Sequence, residues 1–172
     1  MTIEEREELR LFVGKNADYY IAKWEELGET QKVSWNWAAF MFGLLWFGYR
    51  KMYPHAFVFL VFSLVLQFIQ TAVKTHPIVI MLTNILISVV VGMFGNYLYY
   101  QYAKTKIKQI KESITDERQR TLEIVRNGGT SLSTAIAIGL LYLMASSIIE
   151  YGLQEDKIEN IREQESINPW SS

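Results

Sequence analysis

The residues best suited to binding chemistry are basic side chains at the ends of long apolar segments. Arg50 and Lys51 directly follow the apolar segment 33–49, and a lysine cluster follows a later one. Each basic residue at an anionic membrane surface contributes roughly 1 kcal/mol, so one interpretation is a site for anionic lipid headgroups. The residues predicted for it are Arg50, Lys51, Lys104, Lys106, Lys108 and Lys111. The alternative is that they anchor the topology and extend their charges toward water.

Residues for catalysis are not grouped in this sequence. The two histidines, His55 and His76, fall on opposite predicted sides of a membrane, so they cannot share a metal or a proton path. There is no cysteine, and Gly128-Gly129 alone is a helix stop rather than a phosphate-binding loop. We therefore predict no enzymatic activity, no cofactor, no metal site and no nucleic-acid partner.

Three apolar segments are long enough to cross a bilayer as α-helices: 54–73, 78–102 and 132–149. Only Lys-Thr-His-Pro separates the first two, which predicts a tight antiparallel hairpin. The segment 78–102 continues past the bilayer into the basic loop. These features predict an all-α membrane protein with three transmembrane helices.

A fourth apolar segment, 33–49, is Trp-rich and at the lower limit of length for crossing a bilayer. Its tryptophans favour the membrane interface, and Asn36, Gly43 and Gly48 weaken it as a simple spanning helix. We expect a re-entrant or interfacial helix, with a full span as the alternative. The predicted regions are 1–32 (polar amphipathic helices), 33–53 (Trp-rich helix), 54–102 (transmembrane hairpin), 103–130 (basic cytoplasmic loop), 131–151 (last transmembrane helix) and 152–172 (acidic tail).

The first region begins with Thr2 and Glu5 at capping-box spacing. Further on, apolar residues recur along one helical face, and Gly28 is placed to end that helix. The members of this face are Ala17, Tyr20, Ile21, Trp24 and Leu27. The face either packs on the protein itself or lies on the membrane surface.

Charge distribution sets the orientation. The loop 103–130 carries seven basic residues and the 74–77 connection carries one, which places the loop in the cytoplasm. The acidic tail then lies outside and ends in a short helix that frays. The N-terminal region is cytoplasmic if the segment 33–49 is interfacial, and outside if that segment spans.

Small residues recur every fourth position in two of the segments, a spacing that lets helix backbones approach closely. They are Ser88, Gly92 and Asn96 in one, and Ser131, Ala135 and Gly139 in the other. The pattern predicts packing of these two helices on each other. The alternative is a surface for a homo-oligomer or a membrane protein partner.

Three sequence elements resemble a known family. They are an Asn-x-x-Tyr-Tyr element at 16–20, Trp-Asn-Trp-Ala-Ala-Phe at 35–40 and a Trp…Tyr-Arg-Lys-Met-Tyr run at 46–53. Together with 95–107 and the Gly-Gly-Thr-Ser turn at 128–131, they are similar to the bacterial membrane proteins grouped as domain of unknown function 2628. The resemblance covers about 12–131. Some relatives carry a zinc ribbon before the first element, which implies a cytoplasmic N-terminus; this chain has no cysteines there.

These observations favour a small protein of the bacterial cytoplasmic membrane without catalysis. It would act as a regulatory, immunity-type or assembly protein through helix packing and its basic loop, with membrane lipids as partners. The alternative is an oligomeric transporter or channel subunit for a small molecule or lipid. Ionisable groups deep in the spans are typical of transporters, and the absence of any here weighs against that alternative.

Overall fold

The computed structural model describes residues 1–27 and 32–167, and all regular secondary structure in those ranges is α-helical. The helices are α1 (Ile3–Val13), α2 (Ala17–Leu27), α3 (Trp37–Tyr49), α4 (Tyr53–Ala72), α5 (Pro77–Ser113), α6 (Glu117–Asn127) and α7 (Leu132–Ile167). The prediction that Gly28 ends the second helix lies outside the described residues, as does the end of the acidic tail, 168–172.

Three helices are long and apolar enough to cross a membrane, which confirms the predicted number of spans. They are Tyr53–Ala72, Pro77–Ser113 and Leu132–Leu153. Only 11%, 17% and 6% of their most apolar stretches is buried within the chain. The outer surfaces of these helices are therefore apolar and are left uncovered by the rest of the described chain.

The hydrophobic core lies at one end of the spans, in a layer formed by α1, α2, α6 and the C-terminal half of α5, here called the cap. The Thr2 side chain caps α1 by accepting from Glu5 N, and Asp116 caps α6 by accepting from Gln119 N. The apolar face of α2 is almost fully buried against this core. That face packs on the protein itself rather than lying on the membrane surface.

The Trp-rich helix α3 is short and is kinked at Gly43, whose φ of 40° belongs to the left-handed region that glycine tolerates. Its N-terminal flank bonds to the middle of α5, through Asn36 N to Gly92 O at 2.9 Å. Its C-terminal part returns to the same level of α5, where the Trp46 and Tyr99 rings lie 6.1 Å apart. Before α3, the Trp35 backbone oxygen accepts from the Tyr19 hydroxyl of α2, and after α3, Arg50 Nη1 donates to Val13 O of α1. The chain therefore enters and leaves α3 on the cap side.

Two features differ from the sequence prediction. Although a short connection joins α4 to α5, α4 packs on α3 and α7, whereas α5 packs on α3 and the cap. The predicted tight hairpin is therefore wrong in its packing, because α3 fills the space beside α5. In addition, α7 is one continuous helix to Ile167, where a span and a separate tail helix were expected.

Candidate functional site

Arg50 follows the last residue of α3 and is only 2% exposed, so its charge is enclosed by the protein. Its Nη1 donates to the backbone oxygens of Val13 (3.4 Å) and Lys15 (3.0 Å), at the C-terminal end of α1. That end carries the negative pole of the helix dipole, which favours a cation. Arg50 Nε is buried and has no hydrogen-bond partner among the described residues.

Aromatic rings enclose the rest of the Arg50 guanidinium. Its central carbon lies 4.4 Å from the ring centroid of Tyr20, 5.3 Å from that of Tyr99 and 5.7 Å from that of Tyr49. Cation–π contacts of this kind contribute from about 0.5 to 2 kcal/mol. Within the described parts of the chain, no carboxylate forms an ion pair with Arg50. The charge is therefore held by dipoles and rings alone.

A groove of about 560 Å³ begins at Arg50 and runs between α3 and α7. Its polar end contains Asn16, Tyr20, Tyr49 and Arg50, and the remainder is apolar. The pKa of the Tyr49 hydroxyl is lowered, first by a hydrogen bond with Thr130 and then by the positive charges of Lys15 and Arg50. The groove therefore combines a positive end with a long apolar wall, and we call it the α3/α7 groove.

The N-terminal flank of α3 is held by a pair of buried asparagines. Asn36 Nδ2 donates to Asn96 Oδ1 at 2.8 Å, and the Asn36 side chain also caps α3 by accepting from Ala39 N. Asn96 Nδ2 lies 3.1 Å from Ser34 Oγ. The Trp24 indole donates to the Asn96 backbone oxygen at 2.9 Å. This pair joins α2, α3 and α5 at one point.

The six basic residues predicted to contact lipid headgroups are not brought together as one surface. Lys104 pairs with Glu5 at 3.1 Å, and Lys111 pairs with both Glu4 (2.8 Å) and Glu8 (2.7 Å). These three carboxylates belong to α1, so the two lysines join α1 to the C-terminal half of α5 within the cap.

The other four have separate environments. Lys51 donates to the Arg126 backbone oxygen at 3.1 Å. Lys108 lies 3.8 Å from Glu112, and Lys106 is half-exposed. Arg50 alone of the six lines the α3/α7 groove. Headgroup contact stays a prediction for the set.

The two small-residue faces both pack on α3. A Cβ at Gly92 would lie 2.9 Å from Phe40 Cβ, and a Cβ at Gly139 would lie 2.9 Å from Leu45 Cδ2. Ala135 packs against Gly48, while Ser131 N donates to Tyr49 O at 2.8 Å. Asn96 binds Asn36 as described above, and Ser88 lines a polar cleft. The small residues of α5 and α7 therefore pack within the chain, but they pack on the Trp-rich helix α3 rather than on each other.

The polar cleft, about 520 Å³ in volume, lies between α4, α5 and α7 with α3 at one end. Gln67 Nε2 donates to Ser146 Oγ at 2.7 Å, whereas Gln67 Oε1 is buried and has no hydrogen-bond partner in the part of the chain that the structure describes. The polar side chains lining this cleft are Ser63, Gln67, Gln70, Thr71, Asn84, Ser88, Tyr142 and Glu150. The cleft thus gathers hydrogen-bonding groups between the three helices that are long and apolar enough to cross a membrane.

The α3 segment, with its asparagine cap, its Trp-rich helix and Arg50, lies inside a family match covering residues 4–104, more than half of the chain. The chain belongs to the DUF2628 family. This family is described as a protein of unknown function. The match runs from residue 4 to Lys104, so it includes the elements at 16–20, 35–40 and 46–53, whereas α6 and the Gly-Gly turn lie outside it. No functionally curated protein and no solved structure matches the chain.

Sequence reasoning found Arg50 and Asn96 but missed their partners. Tyr20 was placed on an apolar face and Tyr99 in a span, with nothing to indicate that both enclose a cation. Asn36 was treated only as weakening a span. The sequence did offer one signal for these partners, an arginine with tyrosines close to it along the chain. Aromatic faces are common partners of a desolvated guanidinium.

Proposed function

We propose that this DUF2628 protein is a non-enzymatic interaction protein of the bacterial cytoplasmic membrane, of a regulatory or immunity type. Its spans associate with the helices of another membrane protein, and its cap lies in the cytoplasm. The observation that carries the proposal is the contrast between a tightly packed cap and spans that bury at most 17% of their most apolar stretches. Helices with so few intramolecular contacts leave their outer faces available for partners.

The lysine contacts also favour helix faces over the basic loop as the acting surface. Lys104 and Lys111 are already paired with carboxylates of α1, so they hold the cap in place. In a membrane, helix association depends on packing rather than on a hydrophobic driving force, which suits the broad apolar faces of α4 and α5.

Photo-crosslinking in cells tests the association. A photoreactive residue replaces Val58 or Leu86, which are 67% and 63% exposed on α4 and α5. The matched control is Val91, which lies on α5 but is only 7% exposed. We expect a protein adduct of defined mass from an exposed position and none from Val91. Adducts to lipid alone at both exposed positions would show that the proposal is wrong.

Cysteine labelling tests the orientation, since the chain has no native cysteine. Single Lys15→Cys and Thr115→Cys variants place a thiol on the cap, and Thr75→Cys places one in the α4–α5 connection. We expect the first two to be labelled from the cytoplasmic side and the third from the opposite side. Labelling of Lys15→Cys and Thr115→Cys from different sides would contradict the arrangement.

The polar cleft supports a second candidate, an oligomeric transporter or channel subunit. The unpartnered Gln67 Oε1 at membrane depth is costly unless water or a polar solute satisfies it. Solute flux into liposomes containing the purified chain tests this candidate. Flux that falls in Gln67→Leu would favour it, and flux equal to that of protein-free liposomes would remove it.

A further inference from the structure

We propose that the α3/α7 groove binds an anionic phospholipid, with one acyl chain along its apolar wall and the headgroup phosphate at Arg50. The proposal goes beyond a protein partner and does not depend on one. It rests on three independent features of the groove: an incompletely satisfied buried cation, the length of the apolar wall and the exposure of that wall to lipid.

The first feature is the charge of Arg50. Both of its hydrogen bonds to backbone oxygens come from Nη1, although a guanidinium has five N–H donors. Nε is buried, and no described residue accepts a hydrogen bond from it. Carbonyl dipoles and tyrosine rings offset part of the cost of burying this cation, but they carry no net charge. A phosphate at the polar end of the groove supplies the missing negative charge, and arginine is well suited to bind it.

The second feature is the length of the groove. Its α7 wall extends from Leu132, which lies beside Tyr49 and Arg50, to Leu143. At a rise of 1.5 Å per residue, that stretch is roughly 16 Å long. Half of a typical hydrocarbon core is about 15 Å thick. The apolar wall therefore matches the depth of one leaflet, with the cation at the headgroup end.

The third feature is access from the bilayer. Phe42, Leu140 and Leu143 line the groove and are 60%, 57% and 61% exposed. An acyl chain can therefore reach the apolar wall sideways from the bilayer, and its phosphate meets the part of Arg50 that lines the groove. A free phosphate ion would satisfy Arg50 but would leave this apolar wall uncovered, which favours a lipid.

Native mass spectrometry of the full-length chain in mild detergent tests the proposal. The probes are phosphatidylglycerol, phosphatidylcholine and inorganic phosphate. We expect one phosphatidylglycerol per chain, bound about tenfold more tightly than phosphatidylcholine because only the former carries net negative charge. Equal affinity for the two lipids, or binding of phosphate without binding of phosphatidylglycerol, would overturn the proposal.

A matched pair of variants localises the site. Leu143→Trp fills the groove, whereas Met144→Trp adds the same ring at a neighbouring position that is 66% exposed and outside the groove. We expect phosphatidylglycerol affinity to fall at least tenfold in Leu143→Trp and to stay unchanged in Met144→Trp. Equal affinities in the two variants would place the lipid elsewhere. Arg50→Gln should abolish the preference for phosphatidylglycerol, and the tryptophan pair decides the matter even if that variant fails to fold.

Discussion

The buried pair Asn36 and Asn96 gives the sharpest test of how α3 is attached to the rest of the protein. Both side chains are at most 1% exposed, and one hydrogen bond of 2.8 Å joins them. Asn96→Ala removes this bond together with the bond from Asn96 Nδ2 to Ser34 Oγ, and it leaves Asn36 Nδ2 buried without its partner. Asn36→Ala removes the bond between the two asparagines and leaves Asn96 Oδ1 unpaired. It also removes the hydrogen bond from Ala39 N to the Asn36 side chain, which caps the N-terminus of α3.

The magnitude follows from the groups that are left unpaired. Losing the bond costs about 1 kcal/mol, and the stranded polar atom costs a further 1–3 kcal/mol or so. A lost helix cap adds about 1 kcal/mol for Asn36→Ala, whereas the higher helix propensity of alanine returns about 0.5 kcal/mol for Asn96→Ala. We expect each single variant to lose roughly 2–4 kcal/mol. The double variant strands neither partner, so it should cost about 1–3 kcal/mol less than the sum of the two.

Equilibrium unfolding of the full-length chain in mixed micelles, followed by tryptophan fluorescence, measures these free energies. Trp24 is a suitable reporter because it is buried and its indole donates to the Asn96 backbone oxygen. Asn84→Ala is the matched control, because Asn84 also lies on α5 but its side chain is exposed. The reasoning fails if Asn96→Ala is as mild as Asn84→Ala, or if the coupling between Asn36 and Asn96 is below about 0.5 kcal/mol.

Two further predictions concern the cap. A Cβ at Gly128 would collide with the Phe12 carbonyl, so we expect Gly128→Ala to lower the free energy of unfolding by about 2 kcal/mol or more in the same assay. The control Gly152→Ala, with open space around it, should raise that free energy by about 0.5–1 kcal/mol. Equal effects of the two substitutions would contradict the close contact between α1 and α6. Hydrogen bonding to Lys111 lowers the pKa of Glu4. The pair therefore stabilises the cap fully at a pH above the ordinary pKa of a glutamate carboxyl, and this stabilisation is lost as the pH falls through the lowered pKa. Thermal unfolding between about pH 6 and pH 3 should therefore depend less on pH in Lys111→Gln than in the unaltered chain, and identical pH profiles would exclude the pair as a contributor.

The number and limits of the spans could be predicted from the sequence because each depends on local composition. Long, predominantly apolar stretches without Asp, Glu, Lys or Arg identify 54–73 and 132–149 whatever surrounds them. The short, glycine-containing Trp-rich segment was likewise distinguished from a span by its length and its Asn36. These features decide whether a segment prefers water or lipid, and they depend only on the segment's own residues.

The pairing of the helices could not be predicted in the same way. Gly92 and Gly139 were correctly identified as positions of close approach, but their common partner is α3 rather than each other. Small residues indicate that a backbone comes near without indicating which one. Lys104 and Lys111 show the same limit: their charge was visible, but their pairing with α1 depends on a fold that brings together residues about a hundred positions apart.

The position of α3 explains why binding features collect around it. Because α3 enters and leaves on the cap side, its C-terminal end places Arg50 where the cap, the membrane boundary and α7 meet. A spanning helix would have carried this arginine to the other end of α7, away from the carbonyls of α1 and the ring of Tyr20. The kink at Gly43 lets the short helix turn back after Phe42, and it thereby opens the apolar wall that continues from Arg50. Cap stability and occupancy of the groove should consequently be linked: a lipid phosphate that neutralises Arg50 also strengthens the attachment of α3 to α1.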